Sequence, residues 1–332
     1  MKQKQNLGYI GSKFKLLTFI HDIVKDNIPN LQEKTLCDLF SGSNTVAIHF
    51  KDKVKKLITN DIEHYSYILA SAYMTNKNID QDKINLLNNI PPLNSDFYNY
   101  YCESGNSKRL YFNKHNGQKI EAIRTKLEQL NIPKTEYYTL LSSLIEASDK
   151  VANTTSVYGS YLKKVKRTAQ KTLNLKPLNI KIIKGQQNEC YNIDANLLIK
   201  NISGDILYID PPYNHRQYGS NYHILNMISK YDFSIEPRGI TGLQNYNKSD
   251  YCSKIKAKST FEDLILNAKF EHIFVSYNNE GIIKKEEFVE ILSKFGELKI
   301  YEKNYKTYKA DNNRNNKSKT TIEYLFYLKK TN

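Results

Sequence analysis

Asp210, Pro211, Pro212 and Tyr213 stand together at the end of an apolar run, residues 206–209. Each proline lacks an N–H and has a fixed φ, so neither continues a central strand. The run therefore reads as a buried strand stopping at Asp210, followed by a stiff loop at its carboxyl end. Open α/β sheets bind ligands at such ends. Asp210 brings a carboxylate, Pro211 a carbonyl and Tyr213 a flat aromatic face. Two acceptors and a stacking plane suit a planar heterocycle bearing an exocyclic NH₂. A Pro-Pro turn with a capping acid is the plainer alternative. The tyrosine and the strand-end position favour a ligand.

Two further segments could hold such a ligand's partner. In CDLFSGSNTVAIHF, residues 37–50, a strand ends at Asp38 and a small-residue turn precedes a helix. That turn lets a ligand approach backbone N–H groups. It is not a phosphate loop, because G-x-x-x-x-G-K-[ST] is absent. In ITNDIEH, Asp61 ends the next strand about twenty residues on, where nucleotide-binding folds place an acid on ribose hydroxyls. Helix capping is the alternative role for Asp61.

Positioning these groups requires alternating strands and helices. KTLCDLF, VKKLITND, GDILYID and EHIFVSYNNEG read as strands, and NTVAIHFK, YSYILASAYM and KKEEFVEILSKFG as helices. At least one of NIKIIKG and NECYNID is a strand. LKIYEKNYKTYK and TIEYLFYLK form a hairpin around a polar tip. The expectation is an α/β fold whose sheet is mostly parallel with an antiparallel C-terminal hairpin. Residues 78–176 break the alternation. Apolar spacing at Ile120, Ile123, Leu127 and Leu130 predicts one helix there, and residues 135–153 another. We expect a helical insertion at 78–176 within a domain made of residues 1–77 and 177–332.

The net charge of +15, from 49 Lys and Arg against 34 Asp and Glu, points to a polyanionic partner or to base-composition bias. Cys37, Cys102, Cys190 and Cys252 lie far apart and form no C-x-x-C pair, so no metal site is expected. No charged-then-apolar leader and no run of about eighteen apolar residues appears, which predicts a soluble, cytoplasmic protein without a membrane partner.

DPPY at 210–213, with DLFSGSNT at 38–45 and YIGSKFKLL at 9–17, resembles the adenine-specific DNA methyltransferases that use S-adenosylmethionine, in their alpha order of motifs. Residues 152–164, 214–226 and 275–281 are similar to segments of restriction-modification members. The resemblance implies a Rossmann-like methyltransferase fold. It implies that Tyr9, Gly11, Ser12 and Lys13 border the methionine end of the cofactor and that Asp38, Phe40, Gly42 and Ser43 line its centre. Asp61 would take the ribose hydroxyls and Asp194 the adenine amine, although Asp194 also reads as a helix cap. Asp210, Pro211, Pro212 and Tyr213 would act on a flipped adenine. One departure is Asn44, where a second glycine is usual.

The resemblance further implies double-stranded DNA as substrate and a cognate restriction endonuclease as a partner. His215, Arg216, Gln217 and Tyr218 would contact the flipped strand or fill its gap, the alternative being a surface loop that closes the pocket. By their own charge, Lys163, Lys164, Lys166 and Arg167 read either as followers of phosphates or as a solvated helix face. Residues 233–260, rich in Asn, Gln and Ser, and the tip at 312–319 would read bases. Other readings are a methyltransferase for an RNA base, a cytosine amine or a glutamine side chain, or a non-catalytic nucleic-acid-binding protein of this fold.

Overall fold

The structure is a computed structural model that describes residues 7–78, 80–306 and 320–331. Among these residues seven strands form one sheet: β1 (Thr35–Asp38), β2 (Lys56–Asn60), β3 (Glu189–Tyr191), β4 (Ser203–Ile209), β5 (Lys269–Asn278), β6 (Gly296–Lys306) and β7 (Thr320–Lys330). The spatial order is β3-β2-β1-β4-β5-β7-β6. Pairing is parallel from β3 through β5, and β7 runs antiparallel to both β5 and β6. The expected α/β fold with an antiparallel C-terminal hairpin is what forms, and β3 comes from NECYNID. The hairpin tip at 312–319 lies outside the described residues.

Both faces of the sheet are covered, so its central strands are apolar on alternate sides. Ile206, Tyr208 and Phe274 face one core; Leu207, Ile209, Ile273 and Val275 face the other. The first core is closed by α1 (Leu17–Asn27), α2 (Thr45–Phe50), α3 (His64–Met74), α4 (Gln81–Asn88), α5 (Asp96–Tyr101), α6 (Lys114–Gln129) and α7 (Lys134–Val151). On the second face lie α8 (Ala195–Leu198), α11 (Ala257–Asn267) and α12 (Lys285–Leu292). Between them in the chain, α9 (Tyr218–Asn221) and α10 (His223–Lys230) follow the loop after β4.

Residues 78–176 carry α4 to α7. Ile120, Ile123 and Leu127 are fully buried, as their spacing predicts. These helices share one continuous core with the sheet: α7 lies on α3, and Leu140, Leu144 and Ile145 join Ile68, Leu69 and Ile206 in a single apolar cluster. Residues 233–256 are mainly irregular, with a short 3-10 turn at Asp250–Cys252.

Candidate active site

Strands β3, β2, β1 and β4 end at the same edge of the sheet, and each delivers an acid there: Asp194, Asp61, Asp38 and Asp210. The strand order reverses between β1 and β4. The loops that follow them diverge and leave a crevice, the position where open α/β sheets hold ligands. The four acids line a cleft of about 900 Å³, its open mouth included, large enough for a small-molecule ligand.

The wall opposite the sheet is the N-terminal segment. Gly8 N donates to Asp149 Oδ2 at 2.8 Å, and Ile10 N to the Tyr222 hydroxyl at 2.7 Å. The Tyr9 ring stacks on Tyr222 at 4.7 Å and on Tyr218 at 5.7 Å. Gly11 has φ +75°, and a Cβ there would stand 3.1 Å from the Tyr213 ring. Ser12 caps the 3-10 turn Lys13–Leu16, which carries Lys13 into the cleft. The expected group Tyr9, Gly11, Ser12 and Lys13 is thus one continuous surface.

The turn after β1 is shaped by backbone approach. Gly42 has φ +49°, donates its N–H to Asp61 Oδ2 at 2.7 Å, and would drive a Cβ to 2.9 Å from the Tyr9 hydroxyl. Asn44 adopts φ 60°, a left-handed conformation that asparagine tolerates better than most residues. Its Nδ2 donates to Ser66 O at 3.0 Å and ties the turn to α3. The departure from glycine is therefore accommodated by the side chain that causes it. Phe40 meets Tyr251 edge-on at 5.1 Å and closes the second-face side.

Burial dominates the electrostatics. It pushes Asp38 up to about 8, helped by the Asp210 charge and opposed by the Ala47 N–H that Asp38 accepts at 3.1 Å. Asp61 rises to about 6 although it accepts the Glu63 and Gly42 N–H groups. Glu63, buried beside Asp61, rises to about 7. Asp210 rises to about 6, burial outweighing Lys13, whose Nζ lies 3.1 Å from Asp210 Oδ1. Burial works against the Lys13 charge, but Asp210 and Glu323 more than restore it. A cleft crowded with poorly solvated acids is complementary to a cationic ligand carrying hydroxyls. These residues fit the sulfonium, ammonium and ribose of the cofactor that the sequence motifs imply.

Other expected residues divide by position. Pro212 lines the cleft and Pro211 is buried behind it. Tyr213 faces a second cavity beside His215, Lys254 and Lys284, where its carbonyl accepts the Ile282 N–H at 3.1 Å. Asp194 caps α8 through Asn196 N at 2.9 Å and also lines the cleft. His215 and Arg216 are exposed. Gln217 and Tyr218 are turned into the cleft, Gln217 exchanging hydrogen bonds with Ser249 N and O at 2.8 and 3.1 Å. Lys163, Lys164 and Arg167 are exposed, whereas Lys166 Nζ donates to Thr154 O at 2.6 Å.

Sequence reasoning missed Glu63, Tyr208, Asn247 and Ser249, all on the cleft wall. Glu63 was visible as the second acid of NDIEH. Asn247 and Ser249 lie in the 233–260 segment expected to read bases, and nothing local marked them for the cleft, where Gln217 holds their loop through Ser249.

A family model described as D12 class N6 adenine-specific DNA methyltransferase matches residues 9–291. The Type II methyltransferase M.NlaIII of Neisseria lactamica is 44% identical over 335 residues, covering 98% of this chain and 100% of the relative. M.CviAII of Paramecium bursaria Chlorella virus 1 is 34% identical, covering 97% and 98%. M.FokI of Planomicrobium okeanokoites is 37% identical across 98% of this chain, which spans only 53% of that longer protein.

Proposed function

This chain belongs to the D12 class N6 adenine-specific DNA methyltransferases, and on that premise we propose that it methylates a flipped adenine at a specific DNA site, as the modification enzyme of a Type II restriction-modification system. S-adenosylmethionine, when bound, supplies an activated methyl group. Tyr9, Gly11, Phe40 and Gly42 shape its slot, Asp61 and Glu63 take its ribose hydroxyls, and Asp194 takes its adenine amine.

The target amine is a weak nucleophile, because its lone pair is delocalised into the purine ring. Asp210 accepts one of its N–H bonds and the Pro211 carbonyl the other. That grip fixes the nitrogen, raises its electron density and turns its lone pair toward the cleft. After transfer, the surplus proton passes to Asp210 Oδ or to water. Positioning of this kind is worth about 7–11 kcal/mol. The base must leave the duplex, at a cost of a few kcal/mol, and Tyr213 stacks on it. Lys163, Lys164, Arg167 and Arg216 hold the backbone.

The observation that carries this reading is the Asp210 carboxylate, half-buried at the switch point within the acid-lined cleft. Asp210→Ala is expected to abolish methyl transfer to duplex DNA while S-adenosylmethionine still binds with a Kd within a few-fold of wild type. Substantial activity in that variant overturns the assignment. Sequencing that detects modified bases, applied to DNA from cells expressing the gene, reads out the base and its context together.

A further inference from the structure

Glu323 lies on β7 at the site edge, paired with Asn278 of β5. Along β7, Leu325 and Tyr327 face the first core and Tyr324, Phe326 and Leu328 the second. Period-two alternation puts Glu323 on the first face with Leu325, where an apolar residue would continue the pattern. It is instead an acid, 9% exposed, and its Oε2 is buried without a hydrogen-bond partner among the described residues. Oε2 stands 3.6 Å from Lys13 Nζ, an ion-pair distance too long for a hydrogen bond. Lys13 itself is 4% exposed and sits 3.1 Å from Asp210 Oδ1 on its other side. A buried carboxylate oxygen with no hydrogen-bond donor is unfavourable, so packing alone does not account for it.

Consider the two carboxylates around one ammonium. With Lys13 on Asp210 alone, its N–H donors would occupy the lone pairs that the target amine needs. They would also withdraw the electron density that the amine is meant to receive. A second carboxylate on the far side of Lys13 changes that balance. It offers the ammonium another acceptor within a small movement of a long side chain.

We propose that Glu323 is a positioning residue for methyl transfer: it draws the Lys13 ammonium off Asp210 when the target amine arrives, and so frees the catalytic carboxylate. The ammonium holds the amine's place at Asp210 until DNA binds. Its charge never leaves the site, and its partner changes from Asp210 to Glu323. This inference rests on the assignment of Asp210 as the acceptor of the target amine.

The groups facing Asp210 are Lys13 from the N-terminal segment, Glu323 from β7, Asp38 from β1, Tyr208 from β4, Tyr213 and Tyr218 from the loop and helix beyond it, and Tyr277 from β5. Among them, Glu323 raises the Asp210 pKa and Lys13 lowers it. Glu323→Gln keeps the shape and removes the charge. We expect its single-turnover methylation rate to fall about tenfold or more, with the S-adenosylmethionine Kd within twofold. The acid limb of its rate-pH profile should move to lower pH, because Asp210 then faces Lys13 without a competing carboxylate. The limb's midpoint does not depend on the fraction of folded enzyme, so it remains decisive if the variant is less stable. In Lys13→Met/Glu323→Gln the second change should add little to the loss caused by the first. A rate within twofold of wild type, an unmoved acid limb, or losses that multiply in the double variant would each overturn the proposal. Asp210→Ala, assayed alongside, separates the two readings: activity there defeats the parent assignment, whereas an inactive Asp210→Ala beside a wild-type-like Glu323→Gln defeats this one only.

Discussion

At the scale of single residues, the proposed site works by holding carboxylates where they are poorly solvated, Asp38 and Glu63 buried and Asp61 and Asp210 half-buried. Asp210, raised to about 6 by burial, is mostly ionised at pH 7 and able to accept the target amine. Protonation removes that capacity. We therefore expect the single-turnover rate, measured at saturating S-adenosylmethionine, to fall as pH drops through about 6. A rate that rises on acidification would exclude an ionised Asp210 as acceptor. Tyr213 lies on the other side of the loop, half-buried against Gly11 and edge-on to Tyr277 at 6.4 Å. Its proposed stacking is worth about 1–3 kcal/mol. Tyr213→Ala should slow methylation by that amount and leave duplex affinity nearly unchanged. An unaltered rate, together with normal flipping of a 2-aminopurine target read by fluorescence, would remove the role.

At the scale of elements, close approach decides more than propensity. Gly117 lies inside α6, where glycine is unfavourable by about 1 kcal/mol relative to alanine. A Cβ there would lie 1.8 Å from Cys102 Sγ. Gly117→Ala should consequently destabilise the protein by about 1–3 kcal/mol through overpacking, reversing the sign that helix propensity alone predicts. Chemical denaturation measures it, and a stabilised variant would show that α5 and α6 can part freely. The helices α4 to α7 matter to the site through α7, whose Asp149 accepts both Gly8 N and the Tyr158 hydroxyl at 2.8 Å. Through those bonds a helix far along the chain holds the segment that carries Tyr9 and Lys13.

At the scale of the whole molecule, the +15 charge and the acid-lined cleft divide the work. The general excess of cations suits a polyanion, and the local acids suit a small cation. The logarithm of duplex affinity should fall linearly with log salt concentration, each released contact contributing a slope of about −0.9. Lys163→Ala and Arg167→Ala should each reduce that slope by about 1. Lys166→Ala should leave it nearly unchanged, because Lys166 Nζ is spent on Thr154 O. Equal slope changes for all three, read from titrations at several salt concentrations, would mean that these side chains are interchangeable. No helix among the described residues is long and apolar enough to cross a membrane.

Local sequence was enough to place the candidate segments at strand ends. Two prolines after an apolar run can only end a strand, and strands of one parallel sheet end at one edge. DPPY, the glycine turn and the acid after β2 were therefore legible from residue types and spacing. So was the sheet, because β4, β5 and β7 carry continuous apolar runs, as strands buried on both faces do. What only the folded chain decided are contacts between distant segments, which no local pattern encodes. Lys13 meets Asp210 and Glu323 across nearly the full length of the chain. Gln217 faces the cleft because a loop some thirty residues later supplies its partners. Residue types and local periodicity specify what a strand end can offer. Which groups share a low-dielectric pocket, and hence which acid is charged and which cation it faces, depends on burial and distance, and those are properties of the packed molecule.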